Sequence, residues 1–284
     1  MRLANTHEQL NDAIGAGARA VFVPTMGALH AGHEALIRRA HEIASDDHPV
    51  VVSVFVNPTQ FDEASDFERY PRNMGDDART CERLGVSALF APEASEVYPD
   101  GAHGVAEALL PGVARSPALE DAARPGHFAG VYAVVRRLFE LVSPGVAIFG
   151  EKDWQQLQVV RALVDREGMD VEIVGVETVR EPGGVAMSSR NTHLSPEQRS
   201  MAGAVPKALM LAAAEPDPER AERAARGAMA SAGLEVEYAA VRDAETLLAP
   251  SSGRSARVLV AARAGRTRLI DNAPWPGWRF DAKG

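Results

Sequence analysis

The sequence predicts an α/β protein: a doubly wound parallel sheet followed by a smaller α+β unit. Three observations carry this. Up to residue 176, short apolar runs alternate with amphipathic stretches of helical period. The run Val50-Val51-Val52-Ser53-Val54-Phe55-Val56 is almost wholly apolar and β-branched, as suits a parallel strand covered on both faces. Near residue 190 the composition shifts: residues 197–232 are rich in Ala, Arg and Glu, and three strand-like runs follow. The expected division is 1–186 and 187–284.

Taken in order, residues 6–18 read as a helix, with Thr6 as N-cap and Gln9 placed for a capping box. Val21 to Val23 is the first predicted strand. Glu34 to Ser45 is a helix whose apolar stripe is Ala35, Leu36, Ala40 and Ile43. The strand at Val50 comes next, then a helix from Asp76 to Leu84 and a short strand, Ala88 to Ala91. Phe128 to Val142 and Trp154 to Glu167 are helices, with strands Val146 to Phe149 and Val171 to Val176 following them in turn. Glu215-Pro216-Asp217-Pro218 splits the Ala-rich stretch into two helices, and strands are expected near 235–242, 256–263 and 266–270.

The bulk numbers narrow the class. With 284 residues, 46% of them hydrophobic, the chain can bury a sizeable core. A formal net charge of −9 argues against a nucleic-acid partner, though a local basic pocket for a small anion remains compatible with it. Cys81 stands alone, so no internal disulfide forms, and the first residues carry no apolar secretory core. A cytoplasmic location away from membranes is the expectation.

Six segments carry candidate chemistry. In Pro24-Thr25-Met26-Gly27-Ala28-Leu29-His30-Ala31-Gly32-His33, an apolar strand runs into a turn and a helix start. Glycines at 27 and 32 permit close backbone approach, and a helix N-terminus offers N–H groups to an anion. His30 and His33 would share a face of the first turn. An ordinary turn with satisfied imidazoles, or a metal-ligand pair, stands beside the nucleotide reading; no further Cys or His cluster completes a zinc set. Asn57-Pro58-Thr59-Gln60 follows a strand's carboxyl end, where ligands bind in such sheets, and is otherwise a plain turn. Asp76 and Asp77 could hold Mg²⁺ beside phosphates, or simply face a helix dipole. Arg124-Pro125-Gly126-His127 sets a cation and an imidazole before a helix, as an anion site or as a turn. Gly150-Glu151-Lys152-Asp153-Trp154-Gln155-Gln156 brings a lysine to another strand end, with Gln156 one turn on. Finally Met187-Ser188-Ser189-Arg190-Asn191 supplies two hydroxyls and an arginine for phosphate oxygens, or is a linker.

In this order these segments, together with Phe128-Ala129-Gly130-Val131 and the tail Thr267-Arg268-Leu269-Ile270-Asp271-Asn272, resemble the pantothenate synthetase family almost end to end. The His-X-Gly-His run is also similar to the signature of class I aminoacyl-tRNA synthetases and their nucleotidyltransferase relatives. The resemblance implies a Rossmann-like sheet, a homodimer, and a two-step reaction. ATP and (R)-pantoate give pantoyl adenylate and pyrophosphate; β-alanine then attacks the adenylate. It implies that His30 and His33 act on phosphate, with His33 as the assigned proton donor, and that Lys152, Ser188, Ser189 and Arg190 hold the triphosphate. It implies that Met26 through His33 and Gly150 through Asp153 line the ATP site near Val179 and Met187. Gln60 and Gln156 would hold pantoate, with the strand-end amide of Asn57 as a further substrate-binding candidate; Gln60 would also lie near β-alanine, and Asp76 and Asp77 would lie near magnesium. Four departures fall in loops: Gly145 for a usual Asp, Asp121 for a usual Gly, His193 for a usual Tyr, and no glycine just after Phe61. A plain nucleotidyltransferase would not need Gln60 and Gln156, and a non-catalytic nucleotide-binding module would not need His33 and Lys152.

Overall fold

The computed structural model describes residues 1–45, 48–61 and 64–279. Six parallel strands form the main sheet: β1 (Arg2–Ala4), β2 (Val21–Thr25), β3 (Val50–Val54), β4 (Ala88–Phe90), β5 (Val146–Gly150) and β6 (Glu172–Val176), in the order β1-β4-β3-β2-β5-β6. Successive residues point to opposite faces, and both faces are covered. Val21, Val23, Val50 and Val52 pack with Ile37 and Leu36 on one side, while Phe22 and Val51 pack with Leu138, Phe139 and Val160 on the other. That explains the unbroken apolar run in β3.

Strand order reverses direction between β2 and β5, leaving a crevice beyond the carboxyl ends of those two strands. Thr25 ends β2 and Gly150 ends β5, so the segments that follow both strands open into that crevice.

The second unit is an antiparallel sheet in the order β7 (Glu235–Asp243), β8 (Ala256–Ala264), β9 (Thr267–Trp275). Three helices, Pro196–Ala202, Ala204–Ala214 and Pro218–Ser231, cover one face through Val258, Val260, Leu209 and Met229. The other face, with Ala240 and Leu259, packs into the core of the first unit beside Trp154. No helix among the described residues is long and apolar enough to cross a membrane.

Several elements differ from the sequence reading. β1 precedes the first predicted strand; it is three residues long with only Ala4 buried, too short for a period to register. The first helix ends at Ile14, because Gly15, at φ 92°, turns the chain and returns its N–H to Asn11. Thr6 caps as expected, but Gln9 reaches back to the N–H of Asn5. Gly203 breaks one predicted helix into two. β9 runs five residues beyond its predicted end, through Asp271, Asn272 and Pro274; it pairs only with β8, and an edge strand tolerates proline. The departure just after Phe61 lies outside the described residues.

Candidate active site

The loop after β2 is built around a buried carboxylate. Asp77, 1% exposed, accepts from the N–H of Ala28 (3.0 Å) and of Leu29 (2.7 Å). Thr25 accepts from the N–H of Gly27 and donates to the carbonyl of Ser53, tying the loop to β3. Gly27 sits at φ 82°, and a Cβ there would lie 2.8 Å from Asp77 Oδ2. The loop delivers His30 as N-cap of the helix Ala31–Ile43.

The two histidines cap that helix reciprocally. His30 Nδ1 accepts from the N–H of Gly32 (3.1 Å), and His33 Nδ1 accepts from the N–H of His30 (3.3 Å). The rings lie against each other at a tilt, with centroids 4.1 Å apart and planes 33° apart. Desolvation, with help from His30 and Lys152, pulls the His33 pKa down to about 3; desolvation and Lys152 lower that of His30. Both imidazoles are therefore neutral near pH 7. With Nδ1 accepting, each carries its proton on Nε2 and offers a hydrogen bond rather than a proton.

Asp76 and Asp77 take the helix-terminal reading. Asp77 is spent on the Ala28–Leu29 backbone, and desolvation raises its pKa. Asp76 pairs with Asn73 and Arg79 on the exposed first turn of the helix Met74–Arg83. Both carboxylates are engaged with protein donors and neither lines the cleft described below, so the geometry does not present the expected pair to a magnesium ion there. Among the described residues, no three His, Cys, Asp or Glu side chains converge on a metal position.

A second platform fixes Gln60. Asn57, 1% exposed, donates to Gln60 Oε1 (3.1 Å) and to the Gly130 carbonyl (3.1 Å). Its own Oδ1 accepts from Thr59 and from the Tyr98 hydroxyl (2.9 Å). That uses up its hydrogen-bonding capacity inside the protein: Asn57 reaches the wall of the cleft described below, and its amide is engaged in positioning Gln60. The Gln60 carbonyl accepts from Arg124 (3.0 Å) and from His127 Nδ1 (2.9 Å). Arg124 also donates to His127 Nε2, so His127 is neutral, with its pKa brought to about 3 by desolvation and then by Arg124. The Arg124-Pro-Gly-His127 segment is thus a clamp on Gln60, and Arg124 and His127 also line the cleft described below. Gly130 lets the helix His127–Val142 press against this loop: a Cβ there would stand 2.3 Å from the Thr59 carbonyl oxygen. The Gln60 side-chain N–H rests on the Met26 sulfur, a weak acceptor that a substrate oxygen would readily displace.

Lys152 stands in the turn after β5, with Gln156 one turn along the helix Trp154–Glu167. Ser188 caps the turn Ser189–His193 through the Arg190 N–H, and the Arg190 guanidinium lies 5.9 Å from the centre of the Tyr70 ring. Val179 and Met187 are bridged by a backbone hydrogen bond of 2.9 Å.

These strand ends enclose one cleft of about 240 Å³. Met26, His30, Gly32, His33, Gln60, Gly150, Lys152, Asp153, Gln156, Val179, Met187, Ser188, Ser189 and Arg190 all line it. It adjoins a larger cavity of about 630 Å³ toward the C-terminal sheet, which shares Arg124, Lys152, Asp153, Ser188 and Arg190. Gly27, Ala28, Leu29, Ala31 and Glu151 stand outside the lining; the Glu151 carboxylate instead turns to Arg257, 3.3 Å away. Asn272 was missed as a contributor: it donates to the carbonyls of Glu151 (2.9 Å) and Lys152 (3.0 Å). Its presence in the tail motif was the available signal.

The departures are accommodated locally. Asp121 accepts from the N–H groups of Ala118 and Leu119 and from Gln155. A Cβ at Gly145 would lie 3.3 Å from Arg19 Nε; Arg19 instead pairs with Asp170. His193 lines the larger cavity.

The family model described as pantoate–β-alanine ligase matches residues 2–274. The chain belongs to the pantoate–β-alanine ligase family. It is 48% identical to the pantothenate synthetase of a Nocardioides species, over 96% of this chain and 84% of the relative, and 49% identical to that of Mycolicibacterium smegmatis, over 90% and 81%. The crystal structure of pantothenate synthetase from Thermus thermophilus superposes with a TM-score of 0.88 at 43% identity, covering 97% of this chain and 100% of that one. The Francisella tularensis pantoate–β-alanine ligase, solved with a β,γ ATP ligand and β-alanine, gives 0.78 at 30% identity, over 96% and 97%. The ligase described here joins pantoate to β-alanine, making pantothenate.

Proposed function

We propose that the ligase works in two steps within the cleft between β2 and β5. ATP lies along the N-terminus of the helix Ala31–Ile43, and pantoate lies on Gln60 and Gln156. A pantoate carboxylate oxygen attacks the α-phosphorus; pyrophosphate leaves with the P–O electron pair, forming pantoyl adenylate. The amine of β-alanine, near Gln60, then attacks the acyl carbon, and AMP leaves.

Negative charge grows on the phosphates in the first step, so catalysis rests on positioned donors and cations. His30 and His33 supply Nε2–H donors, Lys152 and Arg190 supply charge, and Ser188 and Ser189 supply hydroxyls. A bound triphosphate would draw the His33 pKa upward, which reconciles its neutral resting state with a proton-donor role. Magnesium entering on the triphosphate would neutralise phosphate charge, and an ion held mainly by phosphate oxygens and water would need few protein carboxylates.

The supporting observation is that the proposed phosphate residues and the two glutamines line one cleft at the switch point of the sheet. Residues 187–284 act as a second domain closing that cleft, in a homodimeric cytoplasmic enzyme. A pyrophosphate-release assay tests the reading. Pantoate and ATP alone should release pyrophosphate up to about one enzyme equivalent, and β-alanine should give steady turnover with pantothenate detected by mass. Release that ignores pantoate would refute it.

A further inference from the structure

The tail motif has no part in the chemistry above, yet it reaches the phosphate side of the cleft. We propose that Asn272 is a positioning residue: from the C-terminal sheet it sets the turn that carries Lys152. The inference rests on the ligase reading and adds a second-domain residue to it.

Asn272 is 2% exposed, and both N–H groups of its amide are directed at the turn, to the carbonyls of Glu151 and Lys152. The amide cannot be reversed, because Arg257 Nε donates to its oxygen at 2.7 Å and a flipped amide would set donor against donor. Arg257 is itself fixed: its guanidinium lies 3.8 Å from the centre of the Trp154 ring and 3.3 Å from the Glu151 carboxylate. Trp154 begins the helix after Lys152 and donates to the Ala244 carbonyl across the same boundary. Among the described residues the lysine ammonium has only a loose partner, Asp153 at 3.6 Å, so the backbone below sets its height.

The neighbouring residue braces the other cationic loop. Asp271, 3% exposed, takes both Arg180 nitrogens, at 2.6 and 3.0 Å, in the segment leading to Met187 and Arg190. Holding the two units together does not require Asn272, since Arg268 already grips Glu120 with two bonds, at 2.7 and 2.6 Å. What Asn272 adds is register between β9 and Lys152.

The test is a double-mutant cycle on the full chain, with Asn272→Ala and Lys152→Ala read by steady-state kinetics. Asn272→Asp is included because it keeps the shape and the Arg257 contact while losing the donor. Displacing a catalytic group by an ångström can cost a hundredfold, so each Asn272 variant should lower kcat/KM for ATP at least about tenfold. KM for β-alanine should hold within about twofold, and Asn272→Ala should cost nothing further in the Lys152→Ala background. Losses that multiply in the double variant, or that fall equally on all three substrates, overturn the proposal. Wild-type protein that makes no pantothenate refutes the ligase reading itself. An active wild type and an impaired Lys152→Ala, with indifferent Asn272 variants, refute only the positioning role.

Discussion

Gly130→Ala tests how Gln60 is held. The added Cβ would stand 2.3 Å from the Thr59 carbonyl oxygen, 2.5 Å from its carbon and 2.8 Å from the Gln60 nitrogen. All three are backbone atoms, so no side chain can swing away. Ordinary contact needs about 3.5 Å, and the loop must therefore retreat by roughly 1 Å from the helix His127–Val142. That retreat stretches the Asn57–Gly130 bond and carries Gln60 away from Gln156. Overpacking of this kind costs about 1–3 kcal/mol of stability. The functional loss should be larger, on the order of a hundredfold in kcat/KM for pantoate, because misplacement by an ångström spoils the approach of the carboxylate. Denaturant unfolding and initial-rate kinetics at varied pantoate measure the two effects. Kinetics within about twofold of wild type, with unchanged stability, would refute the clamp, since the stated geometry leaves no room for the methyl group.

Other expectations follow from the same geometry. His33→Ala and Lys152→Ala should each lower turnover at least about a hundredfold, as loss of transition-state contacts does; pyrophosphate release measures this. Asp77→Ala strands two backbone N–H groups and should cost about 2–4 kcal/mol in denaturant unfolding while raising KM for ATP; unchanged stability would contradict the loop account. His33 and His127 have folded pKa values near 3, below the ordinary 6.5, so the unfolded chain binds more protons between those limits. Their contribution is full above pH 6.5 and is lost as pH falls toward 3. By pH 5 the loss is about 2 kcal/mol per histidine, and unfolding free energies at pH 7, 6 and 5 would show it. His127→Asn should remove about half of that slope, and an unchanged slope would show that His127 is not held neutral.

Much of this was legible in the sequence because local signals agreed with the fold. The β-branched run at Val50 fixed a doubly covered strand, and the segments after β2 and β5 were placed at strand ends by their apolar lead-ins. What stayed hidden was which polar groups spend themselves inside. Asn57 and Gln60 look alike in sequence; only the structure shows Asn57 saturated by Thr59, Tyr98 and Gly130 while Gln60 keeps a thioether as its weak partner. Asp77 stood between a magnesium ligand and a helix-dipole carboxylate because nothing local reveals that it reaches 48 residues back to the Leu29 N–H. Asn272 appeared only in the tail motif, past the predicted end of the last strand, because the carbonyls it holds lie 120 residues or more away. Nonlocal hydrogen bonds leave no periodicity to read.

The most direct measurement is a crystal structure with a non-hydrolysable ATP analogue and pantoate bound together. The account expects the pantoate carboxylate about 3–3.5 Å from the α-phosphorus, held by Gln60 and Gln156, with Lys152, Ser188 and Arg190 on the phosphates. Nucleotide seated away from the helix Ala31–Ile43, or pantoate out of reach of both glutamines, would contradict it.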